Sequence, residues 1–270
     1  MLTPSSRLAD VIQPLTAAHP GVSGLIALDE GGDAFAARIQ LADAAEQRID
    51  AQYYIWHHDN AGTLLLQALL RAADRGVRVR LLLDDNNTDG LDDLLAALNT
   101  HRCIEVRVFN PFRLRRWRWL GLLADFARLN RRMHNKSFTV DGVATIVGGR
   151  NIGDEYFGTG DGVQFIDLDV FAIGPVVDEV GADFERYWSS APARPLARGL
   201  GTRLADPAAL RRAGFHALVI TERADRGVQH RAPNPGLFPR LLGCGVMGGQ
   251  GDHRPALRDD PAPRLPRGDQ

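Results

Sequence analysis

MHNKSFTVDGVATIVGGRNIGDEYF, residues Met133 to Phe157, is the stretch on which the rest of the chain is organised. His134 and Lys136 are separated by one residue, so on an extended strand they point to the same side. The apolar and β-branched run Ser137 to Val140 follows, and Asp141-Gly142 closes it as a turn pair. A second strand, Val143 to Val147, then runs into Gly148, Gly149, Arg150 and Asn151. The stretch predicts a hairpin whose second strand ends in a glycine turn and a helix starting near Ile152.

Those residue types suit a phosphate. His134 offers a ring nitrogen as nucleophile or proton donor, and Lys136 sets a positive charge beside it. Gly148 and Gly149 let backbone N–H groups approach an anion, and a helix start near Ile152 would aim its positive end at it. Asn151 adds a neutral amide donor. A phosphoryl group spreads its charge over several oxygens, so donors converging on one nucleophile are what its transfer requires. Taken singly, a strand histidine is ordinarily a surface or core residue and a lysine is ordinarily solvated. The spacing H-x-K, four residues, D, six residues, G-G-x-N gives the set its weight.

Working outward, strands and helices alternate. Asp33 to Gln47 reads as an amphipathic helix with Asp33 as its cap, and Asp50 to Trp56 as a buried aromatic strand ending in a polar loop. Ala61 to Asp74 reads as a second helix, stopped by Gly76. Val77 to Leu83 begins alternating and turns wholly apolar, as a strand entering a covered sheet does. A short helix over Leu91 to Leu98 and a strand over Ile104 to Phe109 follow. Beyond the hairpin, Gln164 to Ile173 reads as a strand with Asp167 and Asp169 on one side, read as a solvent-facing edge ahead of positions that orient the site, and Val176 to Trp188 as a helix. The expected fold class is α/β, a mixed β-sheet flanked by helices on both faces.

Asn110 to Arg132 breaks this rhythm, with Arg113, Arg115, Arg116, Arg118, Arg128, Arg131 and Arg132 interleaved among Phe112, Trp117, Trp119 and Phe126. Arginine beside tryptophan suits anionic head groups over acyl chains, a nucleic-acid backbone, or a solvated loop whose aromatics pack inward. A formal net charge of -1 over 270 residues argues against a globally basic nucleic-acid protein. The two cysteines, Cys103 and Cys244, form no C-x-x-C pair, which speaks against a disulfide framework or a cysteine zinc site. No run of about 18 apolar residues occurs, so no membrane-spanning helix is expected. Of the 15 prolines, ten lie from Pro192 onward. Residues 198–221 could still hold a helix and a short strand, His216 to Ile220. From Glu222 on, a Pro, Arg and Gly-rich tail cannot bury enough surface to offset its ordering entropy.

The central stretch resembles the HKD motif of the phospholipase D superfamily. AQYYIWHHD, RGVRVRLLLDD, RLNRRMHNKSFTVDG, GGRNIGDEYF and DLDVFAIGPVV together resemble the N-terminal half of bacterial cardiolipin synthases over about residues 24–190. The resemblance implies a metal-independent, cofactor-free site of two HKD motifs facing each other. One histidine attacks phosphorus and forms a phosphohistidine, and the other protonates the leaving alcohol. It makes His134, Lys136 and Asp141 the catalytic motif residues, with Asp141 structuring the motif, and gives Lys136, Gly149 and Asn151 the phosphate. The implied substrate is a phosphatidylglycerol-like phospholipid.

No second H-x-K occurs: His216, His230 and His253 are each followed two residues later by Leu218, Ala232 and Pro255. Three readings follow. The first is a phosphatidyl transferase, truncated relative to the family and completed by a homodimer. The second is a phosphodiesterase or nuclease of the same superfamily, with nucleic acid the less favoured partner. The third is an inactive half-domain that only binds anionic lipid. The expected division is an extension over residues 1–23, a domain over 24–220 and a disordered tail over 221–270. The expected location is the bacterial cytoplasm or the cytoplasmic face of the inner membrane, with peripheral contact through Arg113 to Arg132.

Overall fold

A computed structural model describes residues 6–85, 88, 90–111, 132–159 and 164–196. The order is α1 (Arg7–Ala17), β1 (Gly24–Leu28), α2 (Gly31–Ala44), β2 (Arg48–Tyr53), α3 (Asn60–Asp74), β3 (Arg78–Asp84), α4 (Asp92–Leu98), β4 (Ile104–Phe109), β5 (Ser137–Val140), β6 (Ala144–Gly148), α5 (Asp154–Phe157), β7 (Asp169–Ile173), α6 (Pro175–Trp188) and β8 (Ala193–Pro195). The arginine-rich residues 112–131 and everything expected beyond residue 196, including the strand His216 to Ile220 and the tail, lie outside the described residues.

One eight-stranded sheet runs β1-β7-β6-β5-β2-β3-β4-β8. The pairs β2/β3 and β3/β4 are parallel, and the others are antiparallel. Alternation along β3 shows how both faces are covered. Val79, Leu81 and Leu83 join the main core with Leu65 and Leu69 of α3 and Leu95 of α4. Leu82 instead joins Phe184 and Trp188 of α6 on the opposite face. A strand buried on both sides has to be apolar at nearly every position, which is why VRVRLLL loses its alternation. Arg80, on the α6 face, is held by Asp50 at 2.6 Å and by Glu185 at 2.7 Å, with its guanidinium over the Phe184 ring. Those carboxylates keep it protonated against the cost of burial.

Several local expectations shift. Asp33 is not the cap of α2; the helix begins at Gly31, behind Glu30, with no side-chain cap bond. The strand expected over Asp50 to Trp56 ends at Tyr53, and Trp56 makes an isolated bridge to Ile152. Pairing in β7 begins only at Asp169. The helix α1, which holds Pro14, carries no strong sequence signal beyond Ser6, whose hydroxyl accepts from Ala9 N–H. Leu8 and Ile12 nevertheless lie in the same core as the sheet.

Asp169 is fully buried, against the expectation that it faces solvent. It pairs with Arg38 of α2 at 2.8 Å, with side chains 0% and 1% exposed. Arg38 also donates to the Tyr53 hydroxyl and the Ala34 carbonyl. Desolvation alone would depress the guanidinium, but Tyr53 and Asp169 more than offset it and hold its pKa above the usual arginine value. Replacing Asp169 by Ala strands this charge inside the protein. The expected result is a loss of about 3–5 kcal/mol in urea unfolding, with a smaller loss when Arg38 and Asp169 are removed together.

Candidate active site

The sheet gathers the candidate residues at one end. Gln52 near the end of β2 pairs with Ser137 at the start of β5, and Gly148 ending β6 pairs with Asp169 starting β7. The segment entering β5 and the segment leaving β6 therefore meet beyond the carboxyl ends of β2 and β3, the usual position of a ligand on such a sheet. The approach to β5 is anchored by Asp84 at the end of β3. Its carboxylate accepts from the Met133 N–H at 2.9 Å and from Arg132 at 3.2 Å, which fixes the residue before His134.

His134 is exposed and Lys136 is buried, at 7% exposure. The Lys136 Nζ lies 3.2 Å from His134 Nδ1 and donates to the His134 carbonyl at 2.8 Å. The intervening Asn135 points away and donates to Asp183 of α6. Tyr54, just past β2, lies with its ring 4.8 Å from the imidazole and 5.7 Å from the lysine ammonium. With Nδ1 engaged by lysine, Nε2 is the ring nitrogen presented outward. The Lys136 ammonium only donates, so while it bonds to Nδ1 the neutral ring carries its proton on Nε2 and suits that nitrogen to protonating an alcohol; attack through Nε2 takes the other tautomer, with the proton on Nδ1 and that bond released.

Asn151 is held from two sides. Its Oδ1 accepts from Ile55 N–H at 3.0 Å, and its Nδ2 donates to the Tyr156 hydroxyl at 3.1 Å. Burial raises the Tyr156 pKa, so the phenol stays protonated. Burial likewise lowers the pKa of Lys136, while Asp167 and Asp169 pull it back toward the charged form.

Three expectations are corrected. Gly149 does not offer a spare N–H, because its N–H donates to the Leu168 carbonyl at 3.0 Å. The two glycines serve another purpose: a Cβ at Gly148 would strike the Asp169 carboxylate and backbone, and one at Gly149 would strike the Asp167 carboxylate. Asp141 is not beside the other catalytic motif residues, and the structuring role expected of it is the one it has. It stands at the opposite end of β5 with φ 51°, and its carboxylate accepts from the N–H groups of Glu46, Gln47 and Arg48. The helix expected near Ile152 is the four-residue turn α5, too short to carry an anion on its dipole. Its Asp154 instead accepts from Ala61 and Asn60 at the start of α3.

Missing from the sequence reading were Tyr54, Tyr156, Arg38 and Asp84. The aromatic pair in YYIW was visible, but only as strand composition. Among the described residues, His57, Asp59 and Glu155 bring ligand-type atoms within 4.8 Å of one another. Both Asp59 oxygens already accept backbone N–H groups, from Gly62 and Asp154, and His57 pairs with Glu155 at 3.0 Å. The trio works as a helix cap and a histidine–carboxylate contact.

Residues 38–188 match the family described as the PLD-like domain of cardiolipin synthase, more than half of the chain. The chain belongs to the phospholipase D-like family. Cardiolipin synthase C of Escherichia coli K12 is 63% identical over 190 residues, 70% of this chain and 40% of that protein. An uncharacterized protein of Helicobacter pylori is 44% identical over 172 residues, 63% of this chain and 34% of its own length. The phospholipase D-like chain thus spans less than half of these relatives. The solved phosphatidylserine synthase of Haemophilus influenzae shares the fold, with a TM-score of 0.50 at 14% identity over 81% of this chain and 48% of that one. No helix among the described residues is long and apolar enough to cross a membrane.

The buried lysine gives a pH test. Its lowered pKa means that below that value the folded state carries a desolvated charge at a cost, and the unfolded chain binds the proton more tightly. Stability of the wild type relative to Lys136→Met is therefore expected to rise as pH climbs from neutral toward the ordinary lysine range. Urea midpoints of the two proteins compared between those limits would check the sign; parallel curves would contradict it.

Proposed function

We propose that this chain is a phosphatidyl-transferring unit of cardiolipin-synthase type, acting on a phospholipid phosphodiester through His134. The observation that supports it most is the exposed imidazole of His134, with the ammonium of the buried Lys136 3.2 Å from its Nδ1, at the open end of the sheet. In this reading a phosphodiester sits over Nε2, Lys136 and the second Nδ2 hydrogen of Asn151 hold its nonbridging oxygens, and Tyr54 walls the imidazole. Attack by a histidine Nε2 on phosphorus expels an alcohol and leaves a phosphohistidine. A second alcohol then attacks phosphorus and releases the ring. One histidine cannot both attack and protonate the leaving oxygen, so a second unit supplies the other role. A homodimer with the two His134 side chains facing does so by symmetry.

The name of the Escherichia coli relative and its 63% identity favour a phospholipid over a nucleic acid as substrate, and we take phosphatidylglycerol as the donor. We place the protein at the cytoplasmic face of a bacterial inner membrane, with the basic segment Arg113 to Arg132 toward anionic lipid.

The test is incubation of the purified chain with phosphatidylglycerol vesicles, followed by mass spectrometry. Cardiolipin and free glycerol are expected, with the rate falling by at least about 100-fold in His134→Ala and the active species eluting as a dimer. Equal product from both proteins, or none from a wild type that melts cooperatively, overturns the reading.

A further inference from the structure

Six large hydrophobic side chains stand exposed among the described residues: Val11, Val22, Leu25, Phe165, Ile166 and Leu168. Half of them fall in the single run Phe165 to Leu168, at the end of the sheet that carries His134. Ile166 is 103% exposed, Phe165 52% and Leu168 50%. This run precedes the pairing of β7, so it forms a rim beside the site.

The rim is fastened to the site at both ends. Phe165 N–H donates to the Glu155 carbonyl at 2.9 Å, and its ring lies 5.2 Å from Tyr156, whose hydroxyl holds Asn151. At the other end the Leu168 carbonyl accepts from Gly149. Between them Asp167 turns inward: it occupies the space a Gly149 side chain would need, and its charge acts on Lys136. The run therefore sends its carboxylate toward the phosphate-side lysine and leaves its large apolar groups in solvent.

We propose that Phe165, Ile166 and Leu168 form a hydrophobic lip that inserts into a lipid surface beside the candidate phosphate site; this rests on the phosphatidyl-transfer reading. A phospholipid carries its phosphodiester at the boundary between head group and acyl chains, so a site for it must meet that boundary. An apolar rim one ring contact away from the residues holding Asn151 meets this need, with its apolar groups passing into the acyl region and the donors staying at head-group level. Charge tells this contact apart from adsorption through a basic segment. Asp154, Glu155 and Asp167 border the lip, so it gains nothing from anionic head groups and works by apolar burial. It therefore holds on zwitterionic vesicles and in salt.

The experiment uses the full 270-residue chain and phosphatidylcholine vesicles in about 0.5 M salt, where surface charge is screened. The triple variant F165S/I166S/L168S is expected to sediment with vesicles at least about tenfold less than wild type, and Val22→Ser to match wild type. A tryptophan at position 166, from Ile166→Trp, is expected to be quenched by brominated phosphatidylcholine beyond the wild-type signal. Equal sedimentation of the triple variant and wild type overturns the lip. So does a position-166 tryptophan shielded without vesicles at concentrations where the chain dimerises, which gives the surface to a second copy. Hydrolysis of the soluble diester bis(p-nitrophenyl) phosphate separates the two readings. Its dependence on His134 reports the catalytic site alone, and the double variant I166S/L168S, which keeps the Phe165–Tyr156 ring contact, is expected to retain it.

Discussion

The end of the sheet that carries the site is held by one buried charge pair, Asp169 with Arg38. Asp169 starts β7, and its Oδ1 accepts from the Arg150 N–H at 3.2 Å. It therefore ties α2, β6 and β7 to one point. Arg150 lies against it at 3.7 Å and donates to the carbonyls of Leu28 and Asp29, which brings in the end of β1. Four segments converge there, and the chain leaving that point is the one that carries Asn151. An ion pair this dry contributes little net stability, because desolvation consumes most of the attraction. Its value is geometric, since it fixes where the two arginines and the carboxylate meet.

The same carboxylate acts on the site at longer range. Lys136 sits in a partly dry position where burial favours its neutral form, and Asp167 and Asp169 oppose that without touching it. Under the proposed reading a lysine that holds a phosphate must stay cationic, yet a direct salt bridge would occupy its hydrogens. Two carboxylates at a distance keep the charge and leave the ammonium free to bond to His134 and to a ligand. The glycines at 148 and 149 follow from this, because they let both carboxylates lie close under the turn.

Features set by neighbouring residues were legible in the sequence. The hairpin from Ser137 to Val147, the turn at Asp141-Gly142 and the doubly covered β3 depend on period and turn chemistry, and the structure keeps them. Features set by distant partners were not. Whether Asp169 faces water depends on Arg38, 131 positions away in the chain. The glycine pair illustrates a second limit: glycine permits close approach by an anion and by a neighbouring side chain alike, so its presence shows that something comes near and not what. Asp141 shows a third. Membership in a motif placed it with His134, but six intervening positions of strand and approach carry it to the far end of β5, where three backbone N–H groups take its carboxylate.

That separation bears on how one unit works. The hairpin presents a donor set at one end and closes itself with Asp141 at the other, so rigidity and chemistry use different residues of one motif. Among the described residues, Asp84 at Met133 and Tyr54 on the imidazole position His134 and Lys136. The single imidazole is then the limiting element of the unit. Under the proposed reading a partner has only to bring a second ring to the other side of a bound phosphorus. A site that is rigid beforehand on one side loses little further freedom when that happens, because its side chains are already ordered by packing and hydrogen bonds.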